Sequence, residues 1–161
     1  MVEINKKFTI KLIFIISIIA LTSAFFIEHI LGHQPCNLCI LERIPYLLGI
    51  IVIVLNYKFV HLEKHFMLML IIIFLAATIL SLYHLGIEQG FIEESLVCDL
   101  KNGTDLLSKE EILRQLQEKN VSCKDVTFKI FGLSLTSYNI LISLLITIST
   151  TRIYLNYDKN R

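Results

Sequence analysis

Charge is what this chain has least of. Of its 161 residues, 18% are charged, 55% are hydrophobic, and the mean hydropathy is +0.68. A soluble domain carries about 25% charged residues. The deficit excludes a disordered chain, a coiled coil and a highly charged nucleic-acid binder. The formal net charge of +1 leaves no global field to attract a polyanion. Proline is scarce too, with only Pro35 and Pro45. There is no internal repeat and no low-complexity linker, so residues 1–161 read as one domain.

What is present is gathered into blocks. Uncharged apolar runs predict four membrane spans, at about 8–27, 42–60, 66–87 and 132–152. A helix of about 20 residues crosses the hydrocarbon core. The second run is short alone and is expected to start inside the preceding loop, near Cys39. A cleavable signal peptide is the competing reading of the first run, but its apolar stretch continues through Phe25, Phe26 and Ile27. Buried helices of a soluble protein would leave almost nothing amphipathic to cover them.

Basic residues set the orientation. Lys6, Lys7, Lys11, Lys58, Lys64, Arg152, Lys159 and Arg161 fall on one side, against Arg43 alone on the other, just after the short loop 28–41. The fold expected is therefore an all-α four-helix transmembrane bundle with both termini inside. Loops 28–41 and 88–131 then face outward. Within the long loop, 106–120 reads as an amphipathic helix with a Ser108/Glu111 capping box.

The four cysteines, Cys36, Cys39, Cys98 and Cys123, all fall in those two outward loops. The placement used basic residues only, so the agreement is independent information. Three chemistries compete. Structural disulfides suit a Cys98–Cys123 bridge across the long loop, but a four-residue Cys-x-x-Cys ring restrains little. A zinc site of all four cysteines normally needs two close-spaced pairs, and no metal is expected here. Thiol–disulfide exchange suits Cys36 and Cys39 in a helix's first turn, where the helix dipole stabilises a thiolate. Arg43 stands four residues after Cys39, placed to lower the Cys39 pKa, while Glu42 opposes this weakly. A cation beside this pair at the acyl-chain boundary suits a quinone head group.

Pro35-Cys-Asn-Leu-Cys-Ile-Leu-Glu-Arg43 resembles the Pro-Cys-x-x-Cys-x-x-Glu-Arg signature of the DsbB family, bacterial inner-membrane proteins that form disulfide bonds. Four spans, the second cysteine pair and Phe131-Gly-Leu-Ser-Leu135 at the opening of the fourth span agree with it. The resemblance implies an enzyme that reoxidises a periplasmic, thioredoxin-like DsbA protein and passes electrons to ubiquinone or menaquinone in the bilayer. It implies disulfides Cys98–Cys123 and Cys36–Cys39. Cys98 takes the partner's attack, Cys123 exchanges with Cys36, and Cys39 faces the quinone. Arg43 places the quinone, with Glu42, Tyr46 and His84 as further candidates. Some members carry a functional polar residue near the third span's outer end, where this chain offers His84, Glu88 and Gln89 without a choice among them. His29 and His33 read as surface residues, and the ten Ser, Thr, Asn and Tyr residues from Ser134 to Thr151 as contacts with neighbouring helices. A non-catalytic scaffold, an electron importer running the other way and a specialised family variant remain alternatives.

Overall fold

The computed structural model describes residues 2–93, 98, 122–124, 129, 130 and 132–159. Helix α1 spans Val2–His29, the short α2 spans Asn37–Leu41, and α3 spans Ile44–Lys58. A single 3₁₀ turn, Val60–Leu62, leads into α4, Glu63–Glu88. Strands β1 (Lys129–Ile130) and β2 (Leu133–Ser134) precede α5, Leu135–Lys159. Four segments are long and apolar enough to cross a membrane: Lys6–His29, Asn37–Lys58, Val60–Glu88 and Leu135–Asn156. The architecture is the expected four-helix bundle. The predicted amphipathic helix 106–120 lies outside the described residues.

The outer face settles what surrounds the bundle. Ile19, Leu47, Val54, Ile72, Ile79, Leu82 and Leu145 all stand exposed on the helices. In water such a surface is a liability; against lipid tails it is a matched solvent. Association must then come from close packing and interhelical hydrogen bonds, because lipid is as apolar as Leu. The interior follows that rule. Phe74 is fully buried and packs on Tyr46 edge to face. It fits because Gly49 has no side chain: a Cβ there would lie 3.0 Å from the Phe74 ring. Ser17, Thr78, Ser143 and Thr150 are buried with their hydroxyls bonded to carbonyls of their own helices. Thr78 also lies 3.0 Å from the Ser143 hydroxyl, tying α4 to α5.

Element ends explain the rest. The second span is two helices rather than one continuous run from 42. Pro45 stands at the start of α3, where its missing N–H costs nothing but cannot continue α2. Glu42 and Arg43 form the joint between them. Helix α4 ends in a Schellman motif: Phe91 N–H bonds the Gly86 carbonyl, Gly90 N–H bonds that of Ile87, and Gly90 takes φ +76°. Ile92 folds back on Gly86, where a Cβ would come within 2.7 Å. The fourth span begins at Leu135 rather than 132, because β1 and β2 pair first, Ile130 opposite Leu133, with Gly132 at φ +82°. The Ser134 hydroxyl caps α5 by accepting from Ser137 N–H at 3.3 Å.

At one end of the bundle Lys6 pairs with Glu63 at 2.7 Å, and Lys64 lies over the Tyr154 ring. The cysteines gather at the other end.

Candidate functional site

Cys36 is the N-cap of α2, and its sulfur accepts from Cys39 N–H at 3.2 Å. A thiol thus occupies the position Ser or Asp usually fills. Leu38, 1% exposed, anchors α2 inward, and Asn37 donates to the Cys98 carbonyl at 3.2 Å. Cys98 and Cys123 are joined by a disulfide. Cys36, Leu38, Ile87 and Cys123 form one buried cluster, with Cys39 and Cys98 packed against it. Two loops far apart in sequence therefore bring all four cysteines together.

Cys36 and Cys39 are free thiols here, not the Cys36–Cys39 disulfide the resemblance implies. Cys36 is buried, and its sulfur lies 3.6 Å from His84 Nε2. Cys39 instead lines a cavity between the spans. Hydrogen bonding from Cys39 holds the Cys36 thiol far below its ordinary value, at about 5; His84 adds a hydrogen bond and an attraction, and burial opposes both.

Helix α4 delivers Ser81, His84 and Glu88, three or four residues apart on one face. His84 Nδ1 meets Glu42 Oε1 at 2.9 Å, and Thr136 Oγ1 at 3.3 Å. The Thr136 hydroxyl donates to Glu88 Oε1 at 2.6 Å, so its oxygen is left to accept from Nδ1–H. Asn139 Nδ2 donates to Glu42 Oε2 at 3.0 Å and to Ser81 Oγ at 2.8 Å. Tyr46 OH donates to Asn139 Oδ1. Glu42 is therefore the hub that ties α3, α4 and α5 together, and it holds His84 against Cys36.

Arg43 does not pair with Cys39. Its guanidinium binds Glu28 of α1 and lies 5.4 Å over the Phe25 ring. Arg43 stands at the N-cap position of α3, past the end of α2, and its side chain is turned to α1. It still lines the same cavity. That cavity measures about 460 Å³. Its walls include Ile16, Ile19 and Ile142, and its polar end includes Cys39, Arg43 and Tyr46.

Of the three residues offered near the third span's outer end, His84 and Glu88 enter the site, while Gln89 is the exposed cap of α4. His29 is a surface residue whose Nδ1 sits 3.2 Å from the Phe25 carbonyl. His33, half-buried, lines the cavity. Sequence reasoning missed Ser81, Thr136 and Asn139, and took the polar residues of the fourth span as helix contacts only. The signal that could have found them is spacing. Thr136, Asn139, Ser143, Thr147 and Thr150 fall on one stripe of an otherwise apolar helix, and Ser81, His84 and Glu88 form its counterpart.

The profile described as "Disulfide bond formation protein DsbB" matches residues 6–152. An uncharacterized protein of Rickettsia prowazekii (strain Madrid E) is 34% identical over 138 residues, covering 83% of this chain and 78% of the relative. No solved structure matches.

Proposed function

We propose that this chain, which belongs to the DsbB family of disulfide bond formation proteins, is a thiol:quinone oxidoreductase that reoxidises a DsbA-like dithiol protein. The observation that carries the reading is the division of labour within the reduced pair. Cys36 shares a buried cluster with Cys123, while Cys39 lines the cavity.

On this reading, the partner's thiolate attacks the Cys98–Cys123 disulfide at Cys98, freeing Cys123. The partner's second thiol resolves the mixed disulfide and leaves oxidised. Cys123 exchanges with the Cys36–Cys39 disulfide at Cys36, and Cys39 leaves as a thiolate. Cys98 then closes on Cys123 and frees Cys36, which leaves the reduced pair described above. His84 stabilises Cys36 as the leaving thiolate, and Glu42 fixes the His84 ring. Low thiol pKa speeds departure from a disulfide.

The cavity fits a quinone. Its volume lies in the range of small-molecule sites, and its walls are aliphatic with few convergent polar groups. Arg43 and Tyr46 would hold the head group at the polar end, and the apolar walls would hold the isoprenoid tail. When bound, the quinone accepts the two electrons and two protons released as Cys36 and Cys39 form a disulfide, chemistry no side chain supplies. Cys39 is the sulfur exposed to that space, and Arg43 is the cation that would stand near a bound head group.

The family and the four apolar helices make this a multi-pass membrane protein. We place it in the bacterial inner membrane, termini inside and cysteines toward the periplasm, because eight of the nine basic residues outside the long loop lie on one side. The test mixes purified protein in detergent with a reduced thioredoxin-like dithiol and a soluble quinone analogue. Quinone absorbance should fall with the wild type and stay constant with Cys39→Ser. Full turnover by Cys39→Ser would sink the reading, and silence in both would favour a scaffold with structural bridges.

A further inference from the structure

The side chains around the reduced pair also make a metal donor set. Cys36 Sγ, Cys39 Sγ and His84 Nε2 all lie within 4.8 Å of one another. A tetrahedral zinc ion, with Zn–S about 2.3 Å and Zn–N about 2.0–2.1 Å, sets sulfur and nitrogen roughly 3.5 Å apart. The Cys36–His84 edge is 3.6 Å. Of these three donors only Cys39 has to close in, by about 1.3 Å at most, while a carboxylate as fourth ligand has to swing in from outside the group.

The surroundings are those of a metal-bound histidine. Its second nitrogen meets a carboxylate, Glu42 Oε1, at 2.9 Å, which fixes the ring with Nε2 toward the sulfurs. A second carboxylate stands beside it. Glu88 Oε1 is 3.8 Å from Nε2, and the Glu88 side chain is 6% exposed. Its Oε2 is buried with no hydrogen-bond partner among the described residues. A buried acceptor left unpaired costs free energy, and an ion would satisfy it. Two thiolates also balance a divalent charge, so the sulfur–metal unit adds no net charge to a low-dielectric site.

We propose that the reduced protein binds one zinc-class divalent cation through Cys36, Cys39 and His84, with Glu88 in the fourth position. Binding releases two protons, the one shared between Cys36 Sγ and His84 Nε2 and the one on the Cys39 thiol. No electron moves. Both sulfurs are then bound to the ion, so the ion and the Cys36–Cys39 disulfide exclude each other. The cation acts as a brake that holds the pair reduced. The site stands on geometry alone, whereas the brake rests on the quinone-linked activity proposed above.

The test is a cobalt titration, because cobalt replaces zinc and reports tetrahedral thiolate ligation by its absorbance. A Cys98→Ser/Cys123→Ser variant, reduced in detergent, should bind one equivalent and lose its bands when zinc is added. Cys36→Ser should abolish the bands. Glu42→Gln, which keeps every ligand, should weaken binding by about 10–100-fold. Protein oxidised to the Cys36–Cys39 disulfide should bind none. Absence of tetrahedral bands in both the variant and reduced wild type would overturn the site, as would equal binding by Cys36→Ser or by oxidised protein. Zinc should also slow quinone reduction by the wild type. Quinone reduction with no cobalt site removes the metal proposal alone; a cobalt site without quinone reduction removes the proposed activity and leaves the site.

Discussion

Replacing His84 with Phe isolates the most consequential contact in the site. The ring volume is kept, but the partner 3.6 Å from the Cys36 sulfur is lost. Glu42 keeps its bond from Asn139 at 3.0 Å, so no carboxylate is left wholly unpaired. Cys36 has its thiol at about 5 because Cys39 and His84 together outweigh burial. At pH 7 that corresponds to a thiolate-to-thiol ratio of roughly 100 to 1. In the variant, Cys39 still donates while burial opposes with less to offset it. The midpoint should rise by at least about one pH unit, and a full return to the ordinary value near 8.5 would leave about 3% thiolate at pH 7. The direction follows from the charge. A depressed thiol keeps its proton off down to the lower pH, so removing the support makes it protonate earlier on acidification. The assay is the ultraviolet thiolate absorbance of reduced protein carrying Cys98→Ser and Cys123→Ser, followed from about pH 9 to about pH 4. The wild-type band should disappear through about pH 5. The same acid-side midpoint in His84→Phe would refute the claim that this histidine sustains the Cys36 thiolate.

Two further outcomes follow from the cavity and the hub. Arg43→Met removes the cation at the polar end and leaves Glu28 without it; the quinone concentration for half-maximal rate should rise about tenfold, roughly 1.4 kcal/mol, with a smaller change in kcat. An unchanged KM would show that Arg43 only anchors α1. Asn139→Leu strips partners from Glu42, Ser81 and Tyr46 at once. It should destabilise the bundle by about 1–3 kcal/mol, read as a lower unfolding midpoint in detergent. An unaltered midpoint would mean the hub is not what ties α3, α4 and α5 together.

The bundle was legible because a span needs a run of apolar residues and little else, so 66–87 falls inside Glu63–Glu88. That the cysteines would meet was legible because all four fall in the two loops on one side of the bundle. The partners of those cysteines were hidden for a physical reason. In a helix apolar all round, the outward side faces lipid as readily as the inward side faces protein, so composition does not reveal direction. His84 therefore stood beside Glu88 and Gln89 with nothing to choose it, although it is 1% exposed. Glu42 was read through its charge toward the cysteines, whereas its oxygens are held by His84 and Asn139 from other spans. The Arg43 misreading came from assuming one continuous helix. Pro45, visible from the start, marks where that assumption fails. The turn at Gly132 belongs to a short β-hairpin that no alternating pattern announced.

The joint at Glu42 and Arg43 has a mechanical consequence. When Cys36 and Cys39 pass from separate thiols to a bond of about 2.0 Å, their sulfurs must draw together. In an unbroken helix that contraction would pull on fifteen further residues embedded in lipid. Here it falls first on the five-residue α2, which the joint separates from α3. On the proposed cycle, each turnover would reshape the cysteine end as a small hinged plug, while α3 keeps its seat against Phe74.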